Sequence, residues 1–205
     1  MIDNDLLHVP GPNQWPQEGA IPGFRDSVLE YYESLSTLAM FLTRLFFRVA
    51  GAKFGNFSEH FERPSIGFRM LHYPPQPDPV PEGQYGSAPH TDYNFMTLLT
   101  QDDVSGLEVK LDDDSWGAVP PYKTEDGTTA LVLNLGEMAH RWTNEGTTLW
   151  SLCLLKHHHL LHILIFCTIA GLRATPHRVI NRSGVDRYSI AFFWDPQLDF
   201  ITDAR

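Results

Sequence analysis

Three residues are spaced for metal chemistry. In His90-Thr91-Asp92 the imidazole and the carboxylate stand two positions apart, and in an extended strand residues i and i+2 project from the same face. The triplet alone is a weak signal, since chance produces it often. A third ligand from a distant strand is needed, and His177 in Ala-Thr-Pro-His-Arg-Val qualifies. Two imidazoles and one carboxylate on one face of a ferrous ion leave the other face open to O2 and a cosubstrate. Ten residues after His177, Arg187-Tyr188-Ser189 repeats the i, i+2 pairing. A guanidinium and a hydroxyl aimed together clamp a carboxylate. Singly, Arg187 reads as a surface ion pair and Ser189 as a strand-face hydroxyl. Paired at this distance from His177, they read as the anchor for the far carboxylate of 2-oxoglutarate, whose keto-acid end would chelate iron.

The elements that must position these groups follow from punctuation and periodicity. Residues 1 to 24 are rich in Pro, Gly and Asn and predict irregular chain. From about Ser27 to Ala50 apolar residues recur at helical spacing (Val28, Leu29, Tyr32, Leu35, Leu38, Ala39, Phe41, Leu42, Leu45, Phe46), and Gly51 stands at the stop position. A shorter helix is expected after Asn56 or Ser58, ending at Pro64. Beyond residue 65 the chain reads as strands between turns: Ile66–Tyr73, Phe95–Thr100, Leu107–Leu111, Ala130–Leu135, His177–Ile180 and Tyr188–Trp194. Many short strands and few helices predict a mainly β fold of the sandwich or jelly-roll type.

In this order, HTDYNFMTLLTQDDVSGLEV, LVLNLGEMAHRWTN, RATPHRVI and RYSIAFFWDP resemble the isopenicillin N synthase-like branch of the Fe(II)/2-oxoglutarate-dependent dioxygenases. The resemblance covers most of residues 63 to 199, and GPNQWP with the helix after it resembles the family's N-terminal region. It implies a double-stranded β-helix (jelly-roll) core behind an N-terminal helical segment. It also implies oxidation of a small organic molecule, by hydroxylation or desaturation, coupled to conversion of 2-oxoglutarate to succinate and CO2. His90, Asp92 and His177 are implied to bind Fe(II), and Arg187 and Ser189 to bind 2-oxoglutarate. Tyr73 in Leu-His-Tyr-Pro-Pro matches a tyrosine that often assists the cosubstrate, although Leu71 stands where many members have asparagine. Two other activities are compatible with the same residues: a truncated, non-catalytic remnant, and an oxidase of the isopenicillin N synthase kind that uses no 2-oxoglutarate.

One segment departs from the pattern. Family members run from W-T-N-x-G directly into R-A-T-P-H-R, whereas here residues 147 to 171 intervene. Without these 25 residues the chain would read RWTNEGLRATPHRVI, and Asp92 and His177 would stand 60 rather than 85 positions apart. The segment is apolar and His-rich, the composition expected of translated non-coding sequence, and a retained intron or a gene-model error read through in frame is the expectation. Lys156 and His157-His158-His159 break it as a membrane span, and those histidines, with His162, form a poor metal tract. The organisation expected is therefore a partial N-terminal helical region, 1–62, and a jelly-roll core, 63–205, interrupted at 147–171. By the resemblance, both ends of the chain are short of the family's usual extent, which would leave apolar surface uncovered.

A net charge of −10 argues against nucleic acid or an anionic membrane as main partner. No basic, apolar leader opens the chain, and Cys153 and Cys167 make no disulfide framework. A cytoplasmic monomer acting on a small molecule and O2 is the expectation.

Overall fold

The computed structural model describes residues 13–50, 57–142, 155–157, 161–165 and 174–198. Helix α1, Phe24–Ala50, begins three residues before the expected Ser27. Its buried stripe is Leu35, Ala39, Leu42 and Phe46, spaced by four, three and four residues, as one face of a 3.6-residue period requires. Leu29 and Phe41, which the periodicity assigns to that stripe, are exposed instead. The buried face is narrower than the run of apolar residues. The expected second helix is only a 3-10 stretch, Phe57–Phe61, because Pro64 allows no further turn.

Among the described residues ten strands follow: β1 (Ser65–Tyr73), β2 (Ser87–His90), β3 (Met96–Gln101), β4 (Leu107–Lys110), β5 (Trp116–Ala118), β6 (Leu131–Leu135), β7 (Leu155–His157), β8 (Leu161–Ile165), β9 (His177–Val179) and β10 (Arg187–Asp195). A short helix, α2 (Glu137–Trp142), follows β6. One sheet has the order β1-β10-β3-β6-β8-β7 and the other β2-β9-β4-β5. Among the described residues all pairings are antiparallel except β6 with β8, where Leu131 to Leu133 run parallel to Ile163 to Ile165. The two facing sheets form the double-stranded β-helix, with α1 as the N-terminal helical segment.

Period-two alternation gives the larger sheet two different faces. Met96 and Leu98 of β3, Leu131, Leu133 and Leu135 of β6, and Phe192 and Trp194 of β10 pack with α1 in one apolar cluster. Burying each such side chain contributes roughly 1.5–3 kcal/mol. Trp194 Nε1 donates to Thr43 Oγ1 at 3.0 Å, so the indole enters this core with its polar atom satisfied. The alternate residues face the second sheet. Val132 and Leu99 meet Leu107, Val109, Val119 and Val179 there, and the polar groups of the site stand among them.

The segment 147–171 lies outside the described residues apart from the backbones of β7 and β8, and the side chains of its histidines are not described. Among the described residues no helix is long and apolar enough to cross a membrane. The Asp112–Asp114 stretch is a turn: Asp114 has a φ of 65° and pairs with Lys110.

Candidate active site

His90 is the last residue of β2 and His177 the first of β9, and the two are register partners across the small sheet. Their rings lie 4.3 Å apart between centroids. Asp92 follows β2 and is not in the strand, so the expected strand-face geometry is replaced by a held loop. Its carbonyl accepts from Glu137 N at 2.8 Å, and Tyr93 O accepts from Met138 N, so the first amides of α2 fix this loop. Gly136 makes the approach possible: a Cβ there would lie 2.1 Å from Asn94 O.

Asp92 Oδ1 lies 3.7 Å from His90 Nε2 and 3.7 Å from His177 Nε2. The three ligand atoms all fall within 4.8 Å of one another. These separations exceed hydrogen-bond length and suit three atoms that share one ion. His90 Nδ1 bonds to Ala88 O at 2.7 Å and His177 Nδ1 to Thr175 O at 3.0 Å. A carbonyl only accepts, so each Nδ1 carries the proton and each Nε2 presents a lone pair. The other carboxylate oxygen, Asp92 Oδ2, accepts from Thr97 Oγ1 at 2.7 Å and Asn134 Nδ2 at 2.8 Å. One oxygen is thus tethered and the other is free to coordinate. By donor chemistry and proton placement, the triad fits a divalent iron.

The triad opens onto a cavity of about 150 Å³ between the sheets, lined also by Tyr73, Arg187 and Ser189. Tyr73 and Arg187 are register partners of β1 and β10, and the guanidinium carbon lies 5.0 Å over the tyrosine ring. Arg187 is fully buried. Its Nη2 donates to Gln101 Oε1 at 2.7 Å, while Nε and Nη1 have no partner. Burial pulls the guanidinium below its ordinary value. A buried cation with two unpaired donors calls for an anion, and the carboxylate of 2-oxoglutarate is such a group. Gly106, at a φ of +156°, leaves room for this arginine, since a Cβ there would meet Arg187 Cδ at 3.0 Å.

Arg178, next to His177, donates to Glu108 Oε2 at 2.6 Å, stacks over Trp116 at 4.1 Å, and shares Glu108 with Arg182. Burial pushes the Glu108 carboxyl up, but the bonds and charges of Arg182 and Arg178 outweigh it and hold the group below its ordinary value. This network ties β9 to β4 beside the metal ligand. His72 pairs with Asp186 and stacks on Tyr188.

All six sequence-derived site residues therefore line one cavity. Thr97, Asn134, Gln101 and Gly106 escaped the sequence reading. The first two are lone polar residues on the inward period of apolar strands, Phe-Met-Thr-Leu-Leu and Leu-Val-Leu-Asn-Leu, and that was the available signal.

The family model described as the 2OG-Fe(II) oxygenase superfamily matches residues 65–196. A 2-oxoglutarate-dependent dioxygenase of Monascus ruber is 37% identical over 198 residues, covering 93% of this chain and 50% of the relative. A 2-oxoglutarate-Fe(II) type oxidoreductase of Emericella nidulans is 33% identical, covering 93% and 47%. Among solved structures, a full-length Neurospora crassa protein in complex with alpha-KG and thymine superposes with a TM-score of 0.70 at 26% identity, over 93% of this chain and 51% of that one. The chain spans about half the length of the curated relatives it matches.

Proposed function

Because the chain belongs to the 2OG-Fe(II) oxygenase superfamily, we propose that the protein oxidises a small organic molecule with Fe(II) and 2-oxoglutarate, by hydroxylation or desaturation. His90, Asp92 and His177 are the iron ligands in this reading, and Arg187, Ser189 and Tyr73 hold 2-oxoglutarate. The bound iron and keto acid supply the activation of O2, in which 2-oxoglutarate becomes succinate and CO2 while the substrate is oxidised. The chain's own contribution is placement. Ala88 O and Thr175 O hold the imidazoles in the coordinating tautomer. Thr97 and Asn134 orient the aspartate, and the buried guanidinium neutralises a carboxylate brought into the cavity.

The observation that carries the proposal is the pair of unpartnered buried donors on Arg187 in the same cavity as the triad. Relatives whose names specify 2-oxoglutarate support the cosubstrate. The acidic balance supports a small-molecule partner over nucleic acid or membrane, and we propose a cytoplasmic monomer as the working form. Anaerobic addition of Fe(II) and 2-oxoglutarate is expected to produce a weak visible charge-transfer band and raise the melting temperature. In air, succinate should form. Arg187→Ala should abolish the band at ordinary 2-oxoglutarate concentrations. A cooperative melt with no band in the unsubstituted protein would overturn the proposal.

A further inference from the structure

We propose that Arg69 is a substrate anchor, seating the carboxylate of a small organic acid whose apolar body lies along Phe193 at the mouth of the metal cavity. The inference rests on the oxygenase reading above and adds the class of substrate.

The β1–β10 ladder presents a single inward-facing row. Tyr73 pairs with Arg187 and Leu71 with Ser189, and these form the cosubstrate end. Arg69 then pairs with Ala191, Gly67 with Phe193 and Ser65 with Asp195. Four residues of strand put Arg69 roughly 13 Å along from Tyr73, past the 2-oxoglutarate clamp and toward the opening. Arg69 and Phe193 line both the cavity and the wider mouth, which share His90 and Asp92. Asp195 lines the mouth alone.

Arg69 is set apart by where it stands. Lys110, Lys123 and Arg182 find carboxylates, whereas among the described residues Arg25, Arg44 and Arg63 do not, but those three stand away from the metal cavity that Arg69 lines. Among the described residues Arg69 makes no ion pair. Its guanidinium instead lies 5.5 Å over the Phe193 ring. The ring occupies the space left by Gly67, where a Cβ would stand 3.2 Å from Phe193 Cδ2. A guanidinium stacked on an aromatic face keeps its in-plane donors free for bidentate contact with a carboxylate. Asp195, the carboxylate of the same mouth outside the metal triad, is engaged by Phe95 N at 2.9 Å. The mouth is therefore polarised, with a free cation at one station and an acceptor at the other. It fits a ligand with one anionic group at Arg69 and, at the far end, a hydroxyl or amine rather than a second anion.

The test uses the full chain, loaded anaerobically with Fe(II) and saturating 2-oxoglutarate. Benzoate and phenylacetate are titrated against benzamide and phenylacetamide, followed by calorimetry and by perturbation of the visible band. The carboxylates should bind about 10-fold or more tightly than the amides, the worth of a charge-assisted pair. Arg69→Gln should erase that preference, Arg69→Lys should restore part of it, and Asp195→Asn should leave it in place. The affinity for 2-oxoglutarate should be unchanged in Arg69→Gln. Equal binding of acids and amides, no binding of either, or equal loss of 2-oxoglutarate and benzoate affinity in Arg69→Gln would each overturn the inference. Failure of the band in the unsubstituted protein defeats the oxygenase reading instead. Benzoate calorimetry on the metal-free protein and its Arg69→Gln variant then decides the anchor separately.

Discussion

At the scale of single residues, the site works by dividing the two oxygens of one carboxylate. Thr97 and Asn134 both donate to Asp92 Oδ2, leaving Oδ1 to face the two imidazoles. Removing a donor lets the carboxylate rotate, so Asn134→Ala should weaken Fe(II) binding by about 10- to 100-fold. An anaerobic metal titration reads this directly, and an unchanged affinity would show that Thr97 alone suffices. A second carboxylate, Asp195, is pushed up to about 6, chiefly by burial and further by the charge of Asp92, against the bond from Phe95 N. An acid whose folded-state value is raised lends its full stability at low pH and loses it as pH rises through that value. Asparagine keeps an acceptor for Phe95 N without the charge. In the metal-free protein, the advantage of Asp195→Asn should therefore grow from near zero at pH 4 to on the order of 2 kcal/mol above pH 7, measured by denaturant melts. The residues proposed for metal and cosubstrate stood out as candidates in the sequence because their types are unusual and their spacing is local: His90 with Asp92, Arg187 with Ser189. Thr97, Asn134 and Gln101 did not. A lone polar residue in an apolar strand has a role only once the neighbouring strand is known.

At the scale of elements, the long strands were readable to within a residue or two, because alternation and turn residues bound them. Strand β2 was missed: Ser-Ala-Pro-His has no apolar alternation, and it exists only by pairing with β9. Helix α2 was missed because six residues show no period. Both are essential to the site, since β2 ends on His90 and the start of α2 holds the carbonyl of Asp92. The junction between β6 and α2 carries the tightest steric demand. Gly136 N donates to Phe95 O, and a Cβ at this residue would run into Asn94 O and Asp92 O, at 2.1 and 2.8 Å. Both obstacles are backbone, so no side chain can yield. Gly136→Ala should cost about 3 kcal/mol or more, and the shift should pull Asp92 from its partners. A large fall in melting temperature together with lost metal affinity is the expected result. A variant that melts normally and binds Fe(II) would show that the loop has slack.

At the scale of the molecule, two facing sheets enclose the chemistry while α1 seals the outer face of the larger one. The jelly-roll class was readable from turn frequency. The addition of β8 in parallel to β6 was not, because segment 147–171 has neither clean alternation nor family precedent. Among the described residues, the groups that hold the site come from outside that segment. Ala88 and Thr175 hold the imidazoles, Thr97 and Asn134 hold the aspartate, and Gln101 holds Arg187. On the far side β6, which carries Asn134, is already anchored by β3 through Met96 to Leu99. Deleting residues 147–171 would join Gly146 to Leu172 and leave one edge of β6 unpaired. The deletion variant should therefore keep the Fe(II)–2-oxoglutarate band with 2-oxoglutarate affinity near that of the full chain, and melt cooperatively. Loss of the band with a cooperative melt would mean that the segment sets the position of His177. Loss of both would mean that pairing of β8 with β6 is needed for the larger sheet to form.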